Sequence, residues 1–344
     1  MAEGRSQTAP AQRVIVSGMR PTGRLHMGNL LGALRNWVAL QHDNRCFFFI
    51  ADWHTLTTSA ESESLAQRVH DMVIDWLAAG LDPERVVIFR QSSIKEHAEL
   101  HLLLSMIVPT PWLLRNPTVK EQARDMGLIE GDDESEMTKI NYGYLGYPVL
   151  QAADILAYKA TAVPVGIDQA PHIEITREIA RRFNHLFREV FPEPATLLTE
   201  VPKIPGTDGR KMSKSYNNSV YLSDAAQDVE QKLTRMATDP ARVRRVDPGN
   251  PELCPAFQWH RIYCTAEEID YVSQGCRTAG IGCVDCKRVM IKHVLAELEP
   301  MHARRAELTQ QPDRVGDVLA SGNRRAQEVA GSTLAEVRDA LGLA

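Results

Sequence analysis

Apolar positions in the first part of the chain follow two rhythms. Short runs of apolar residues at Val14–Ser17, Cys46–Ile50 and Val86–Phe89 read as strands, the first ending in Gly18. Between them the spacing is helical. In Asn29–Gln41, Leu30, Leu34, Trp37 and Val38 share one face; in Ser64–Ala79, Leu65, Val69, Met72, Val73 and Trp76 do so, and Gly80 is a natural stop. This alternation predicts an α/β fold, a parallel sheet with helices on both faces that binds ligands at the carboxyl ends of its strands. From about Asp224 onward strands give way to helical segments rich in Glu, Lys, Arg and Ala. The last of these, Arg324–Leu343, carries Ala330, Leu334, Val337 and Leu341 at helical spacing. The chain therefore divides into a loose polar tail over 1–12, a sheet domain over 13–223, a helical domain over 224–323, and a C-terminal helix over 324–344 that packs back on the sheet domain.

Composition narrows the classes. With 344 residues, 44% hydrophobic and 24% charged, the chain is an ordinary globular protein and neither disordered nor fibrous. A net charge of −5 means that any nucleic-acid contact must rest on a local basic patch. Apolar stretches such as Cys46–Ala51 and Leu102–Leu104 are far too short to span a bilayer, and Met1–Gln12 has no apolar core of a secretory signal. The expectation is a cytoplasmic protein with no membrane partner. Five of the six cysteines, Cys254, Cys264, Cys276, Cys283 and Cys286, fall within 33 residues, which suits metal ligation better than disulfides.

The common nucleotide signatures, Gly-x-Gly-x-x-Gly and the phosphate-binding Gly-x-x-x-x-Gly-Lys-Ser/Thr, are missing. Two other loops carry candidate chemistry. The segment from Ser17 to Asn29 holds Gly18, Gly23 and Gly28 and leads into a helix, whose free N–H groups suit phosphate, with His26 and Asn29 as neutral donors. The alternative is an ordinary turn. The second loop contains Lys211-Met212-Ser213-Lys214-Ser215, mobile cations suited to charge gathering on leaving pyrophosphate.

Together, His26-Met27-Gly28-Asn29 and Lys211–Ser215 resemble the signatures of class I aminoacyl-tRNA synthetases, with Asn29 as in the tryptophan and tyrosine subclass. The resemblance implies a Rossmann-like catalytic domain and a helical anticodon-binding domain. It also implies an aminoacyl-adenylate made from ATP with Mg²⁺, esterification of tRNA, and a homodimer. The implied catalytic residues are His26, Lys211 and Lys214. The implied ATP contacts are Arg20, Pro21, Thr22, Gly28, Asn29, Gly166, Ile167, Asp168, Ile204, Lys211, Met212, Ser213, Lys214 and Ser215.

Tyr147-Pro148-Val149-Leu150-Gln151-Ala152-Ala153-Asp154-Ile155 bears on the amino acid. Pro148 fits the first turn of a helix, on which Tyr147, Gln151, Asp154 and Tyr158 share a face. A carboxylate in apolar company needs a donor, and an indole N–H is one; a structural pairing of Asp154 is the alternative. The segment resembles the helix of bacterial-type tryptophanyl-tRNA synthetases on which an Asp binds the indole nitrogen. Val163-Pro164-Val165-Gly166-Ile167-Asp168-Gln169 resembles the same family's Val-Pro-Val-Gly-Glu-Asp-Gln, with Ile167 in place of the Glu. His172, Glu174, Thr176 and Arg177 continue that match. The resemblance implies a tryptophan site of Val16, Tyr147, Gln151, Asp154, Ile155, Val163, Val165 and Gln169, and tRNA(Trp) as partner. A tyrosine enzyme would need more polar groups around a phenol; a non-catalytic tRNA-binding or redox-sensing paralogue would not need intact signature loops.

Cys254, Cys276, Cys283 and Cys286 are separated by 21, six and two residues, and four such thiolates can hold zinc or a [4Fe–4S] cluster. Resemblance to a subset of tryptophanyl enzymes favours the iron–sulfur cluster. Cys264 falls outside the spacing, and Cys46 reads as a buried strand residue. Arg242, Arg244 and Arg245 form a basic patch, either tRNA-binding or merely solvated. His97 and His101, four apart on a helix, lack a third ligand in sequence and read as a structural or solvated pair.

Overall fold

The computed structural model describes residues 12–57, 64–131, 134–137, 139–198 and 204–343; residues 1–11 of the expected tail lie outside them. Five parallel strands, β1 (Val14–Met19), β2 (Arg45–Ile50), β3 (Val87–Arg90), β4 (Ala162–Val165) and β5 (Ala195–Leu198), form one sheet in the order β3-β2-β1-β4-β5. The order reverses between β1 and β4, so the crevice for a ligand opens beyond their carboxyl ends.

Alternation along each strand sorts the core into two layers. Ile15, Cys46, Phe48, Ile50 and Ile88 face one layer; Val16, Phe47, Phe49, Val87 and Phe89 face the other. The first layer is covered by a helix over residues 27–40 (α1), by α2 (Leu65–Ala79), and by the helical region. There Trp37 stacks on Phe48 at 4.5 Å and meets Trp76 edge-on at 5.0 Å. Within α1 one wide π turn, Leu30–Leu34, interrupts the α-helix. The second layer is covered by α3 (Glu96–Ser105), α4 (Tyr142–Leu156) and α5 (Ala170–Leu186).

Helix α4 starts earlier than expected. The Asn141 side chain accepts from Tyr144 N and caps it, so Pro148 is inside the helix rather than in its first turn. An interior proline removes one helical hydrogen bond, and this one persists in a helix buried along Gly146–Val149 and Ala152–Leu156.

No strand follows β5 among the described residues. Helices α6 (Ala226–Thr234), α7 (Pro255–Tyr263), α8 (Ala266–Arg277), α9 (Cys283–Thr309) and α10 (Pro312–Ala340) complete the chain. One continuous helix, α10, runs through the division expected at 323/324, and it docks on β3. An ideal Cβ on Gly322 would fall 1.7 Å from the Ile88 carbonyl oxygen, so only glycine allows that approach. Beside it Arg90 N donates to Asn323 Oδ1 at 3.0 Å, and Ala326, Ala330, Leu334 and Val337 join the second layer. Among the described residues no helix is long and apolar enough to cross a membrane.

Candidate active site

Two adjoining cavities, about 330 Å³ and about 250 Å³, lie at the crevice and share Gly18, Phe49, Gln151 and Gln169. Arg20, His54, Gln122, Tyr144 and Tyr147 line the first; Val16, Ile155, Val163, Val165 and Gly166 line the second. Gly18 lets the Phe49 ring pack directly against the β1 backbone between them: a Cβ there would sit 2.4 Å from that ring. Of the expected tryptophan contacts, all but Asp154 therefore reach a cavity wall.

Asp154 lies behind that wall, fully buried. Its Oδ1 takes hydrogen bonds from His97 Nδ1 (2.7 Å) and Gln91 Nε2 (2.9 Å); Oδ2 takes them from His54 Nε2 (2.8 Å) and Gln91 Nε2 (2.8 Å). Burial alone would push the carboxyl up, but the bonds from His54 and His97 outweigh it and hold the group down at about 2. Three donors thus occupy both carboxylate oxygens, with Gln91 Nε2 bridging the two. The expected open acceptor for an indole N–H is thus a closed one, with His54 as the donor standing at the cavity wall.

His97 is not a solvated partner of His101. It is fully buried, with Nδ1 on Asp154 and Nε2 2.6 Å from the Tyr158 hydroxyl. His101 instead lines a third cavity, and burial lowers its pKa. His54 and Gln91 carried no motif; their partner lies 100 and 63 residues further along the chain. Tyr147 is fixed similarly. Its hydroxyl is 2.8 Å from His172 Nε2, and Asn116 Nδ2 is 3.1 Å from His172 Nδ1. Burial lowers His172 to about 4, so the ring is neutral. With Asn116 donating to Nδ1, the ring's N–H is left on Nε2 to donate to Tyr147.

The two signature loops meet at the other end. Lys214 Nζ donates to Thr22 Oγ1 at 3.1 Å. Burial, then the charge of Arg68, lowers Lys214 to about 8. His26 begins α1 with its Nδ1 buried and without a hydrogen-bond partner, and burial followed by Lys214 lowers it to about 4. Asn29 is occupied as a cap, its Oδ1 accepting from His26 N at 3.0 Å. Pro21, Ile204 and Met212 are buried beneath the loops, whereas Lys211 and Ser215 are exposed. Ser213 Oγ and Ser215 Oγ are 2.8 Å apart. Asn218, which the sequence did not single out as a site residue, ties the loop: it accepts from Ser213 N and donates to Asp208 and to the Lys211 carbonyl. Ile167 is 72% exposed and Asp168 is held by Gln169 Nε2 at 3.0 Å.

In the helical region Cys254 precedes α7, Cys276 lies in α8, and Cys283 and Cys286 open α9. The four thiols are close enough to feel one another's charge; burial, then its three neighbours, pushes Cys286 up to about 12. Arg242 departs from the expected surface patch. It is buried, donates to the Ile281 carbonyl at 2.5 Å and adjoins Cys276. Arg244 and Arg245 are exposed. Cys46 is buried and pushed up to about 12 by desolvation, as a strand residue should be. Helix α7 also reaches the lysine loop, Trp259 Nε1 donating to the Pro205 carbonyl at 3.1 Å.

A protein-family profile described as "tRNA synthetases class I (W and Y)" matches residues 10–299. The tryptophan–tRNA ligase of Thermotoga maritima is 53% identical over 332 residues, covering 96% of this chain and 99% of that protein. The tryptophan–tRNA ligase of Aquifex aeolicus is 46% identical over 392 residues, covering 96% and 99%. Among solved structures, tryptophanyl-tRNA synthetase from Campylobacter jejuni complexed with ADP and tryptophane superposes with a TM-score of 0.83 at 30% identity, covering 96% of this chain and 100% of that one.

Proposed function

This chain belongs to the class I tRNA synthetases of the tryptophan and tyrosine type, and from that membership we infer that it is a tryptophan–tRNA ligase. It joins L-tryptophan to ATP, releasing pyrophosphate, and passes the tryptophanyl group to tRNA(Trp). The observation that carries the reading at this site is the contact of Lys214 with Thr22, which joins the two signature loops at the crevice.

In this reading the indole enters between Val16, Ile155, Val163 and Val165, with Tyr147 and Gln151 at its edge, and Gln169 faces the substrate amino group. Its N–H takes the place of His54 on Asp154 Oδ2, since His54 is the donor at the cavity wall. The substrate carboxylate attacks the α-phosphorus and the bond to the bridging oxygen of pyrophosphate breaks; no general base or covalent enzyme intermediate is required. ATP arrives with Mg²⁺ and lies along Arg20, Pro21, Thr22, Gly28, Asn29, Gly166, Ile167, Asp168, Ile204 and the loop from Lys211 through Met212, Ser213 and Lys214 to Ser215. His26 and the two lysines meet the phosphates. Charge placed where pyrophosphate develops it lowers the barrier more than it aids ground-state binding.

The four cysteines supply the ligand set of one [4Fe–4S] unit, with one zinc ion as the lesser alternative. A cluster there would cross-link α7, α8 and α9 beside a tRNA-facing surface carrying Arg244 and Arg245. Arg242 acts as a buttress of that group. The enzyme works as a homodimer in the cytoplasm, where thiols stay reduced. The half-exposed Leu56 and strongly exposed Tyr142, beside the third cavity, suit contact with a second copy.

Tryptophan-dependent pyrophosphate exchange tests the activity, which should be strong with tryptophan and near background with tyrosine; equal exchange with both would overturn it. Anaerobic iron and sulfide analysis tests the cluster. Stoichiometric zinc without sulfide would replace it while keeping the ligands, and Cys283→Ser should impair tRNA charging more than adenylation. A light-scattering mass near one chain would remove the dimer.

A further inference from the structure

A second group of metal-type donors lies beside the four cysteines and has no part in the function above. Cys264 follows the end of α7, Glu268 is in the first turn of α8, and His293 is on α9. One donor atom from each lies within 4.8 Å of the other two. His293 Nε2 and Glu268 Oε2 are 2.8 Å apart, and Thr265 N donates to that same oxygen at 3.0 Å, which fixes the carboxylate. His260 adjoins the group: its Nδ1 is 3.2 Å from Cys264 Sγ, and its Nε2 is 3.4 Å from Cys286 Sγ.

We propose that Cys264, Glu268 and His293 form a binding site for a zinc-class divalent cation, distinct from the four-cysteine group, with water completing the coordination. The donor chemistry selects the ion. A thiolate, an imidazole and a carboxylate suit zinc or its neighbours, whereas calcium and magnesium want oxygen alone. Thiolate and carboxylate together match the ion's two positive charges. Bond lengths of about 2.0–2.3 Å require the donors to draw in by on the order of 1 Å, and ligation then replaces the Glu268–His293 hydrogen bond. The site has an entry path, since Glu268 and His293 are 31% and 29% exposed. Its ligands come from three successive helical segments, so the ion clamps the α7–α8 turn onto α9. His260 is fully buried with its ring between Cys264 and Cys286, and so lies between the two metal-type groups.

Full-length protein, purified anaerobically and freed of loose metal by dialysis against a weak chelator, is titrated with Co²⁺ and then Zn²⁺. One Co²⁺ per chain should bind with tetrahedral d–d bands and a thiolate charge-transfer band, be displaced by Zn²⁺, and raise the melting temperature. Cys264→Ser should remove the charge-transfer band and weaken binding on the order of 100-fold, while Cys46→Ala, at the buried strand cysteine far from the site, leaves both intact. Glu268→Gln, which keeps an oxygen for Thr265, should weaken binding about 10-fold or more with an unchanged circular dichroism spectrum. The absence of stoichiometric cobalt in the unmutated protein would overturn the site. So would a band that survives Cys264→Ser and disappears with Cys283→Ser, because the metal would then sit on the four cysteines.

Discussion

The niche around Asp154 and the lysine loop are built on opposite plans. Asp154 is fully buried and accepts from His54, Gln91 and His97, and His97 in turn contacts Tyr158. The loop exposes Lys211 and Ser215 and leaves Lys214 half-buried, and among the described residues its tie across the crevice is a hydrogen bond from Lys214 to Thr22. A site that must discriminate one side chain benefits from rigid, satisfied polar groups, because a wrong partner leaves one of them unpaired. A site that must follow charge onto a departing group benefits from cations that can move. On the proposed reading, the difference separates selection from catalysis by position as well as by chemistry.

The largest effect expected is on the mobile side. Lys214→Ala should lower the adenylation rate about 10²–10³-fold at saturating ATP, the usual loss on removing one transition-state donor. Tryptophan affinity should stay within about twofold, because the niche does not depend on the loop. Lys211→Ala should act in the same direction. Pre-steady-state adenylation measures the rate and calorimetry the affinity; a tryptophan affinity that falls in parallel with the rate would erase the comparison.

Asp154→Asn probes the rigid side. The amide brings a donor into a niche whose neighbours already donate, so at least one pairing becomes donor against donor. Tryptophan affinity should fall about tenfold and ATP affinity should not change. Stability should change as well. The carboxyl's folded pKa, about 2, lies below the ordinary 3.8, so its contribution is present above pH 3.8 and is lost as pH falls through 2. That contribution is on the order of 2 kcal/mol at neutral pH. Acid unfolding of the variant should lack this decline between about pH 4 and pH 2, whereas a decline like that of the unmutated protein would mean that Asp154 is not held ionised by its neighbours.

The two regions were also unequally legible. The loops announce themselves because their chemistry is contiguous: Lys211 through Ser215 and His26 through Asn29 are short words. Three of the five strands were legible for a related reason, since apolar runs such as Cys46–Ile50 carry their own burial signal, and the observed strand Arg45–Ile50 differs by one residue; the short β4 and β5 carried no such run and were not read as strands. The niche around Asp154 is assembled from afar. Gln91 and His97 lie 63 and 57 residues before it, and neither spacing nor composition links them. His97 even sits in a suggestive pair with His101, which is resolved only when β3 and α3 bring His97 under α4. Arg242 misleads for the opposite reason. It belongs to a basic run, yet its side chain turns inward to the Ile281 carbonyl, 39 residues on. Pro148 shows the limit of a local rule, because Asn141 had already started the helix.

Asn218 should give a smaller effect and sharpen the contrast. It links Ser213 N, Asp208 and the Lys211 carbonyl, so Asn218→Ala loosens the loop without removing a charge. The adenylation rate should fall roughly three- to tenfold, in line with one or two lost hydrogen bonds, with tryptophan affinity unchanged. A loss as large as that of Lys214→Ala would mean that the loop's order, rather than its charge, sets the rate.

The smallest expected signal is a fraction of a proton. Burial, and then Arg68, lowers Lys214 from 10.5 to about 8 in the ligand-free protein. A lysine of that pKa is about half charged at pH 8 and fully charged near pH 6. Polyphosphate beside it favours the ammonium form and raises the pKa again. ATP binding should therefore take up about half a proton at pH 8 and almost none from this group at pH 6. His26, lowered to about 4, is neutral at both ends of this range before ATP binds. Calorimetry in buffers of different ionisation enthalpy reads the proton count directly, and Lys214→Ala separates this lysine from ATP's own ionisation. If the variant takes up as many protons as the unmutated protein at pH 8, Lys214 does not meet the phosphates in the bound state. The loop's role would then begin only after pyrophosphate starts to leave.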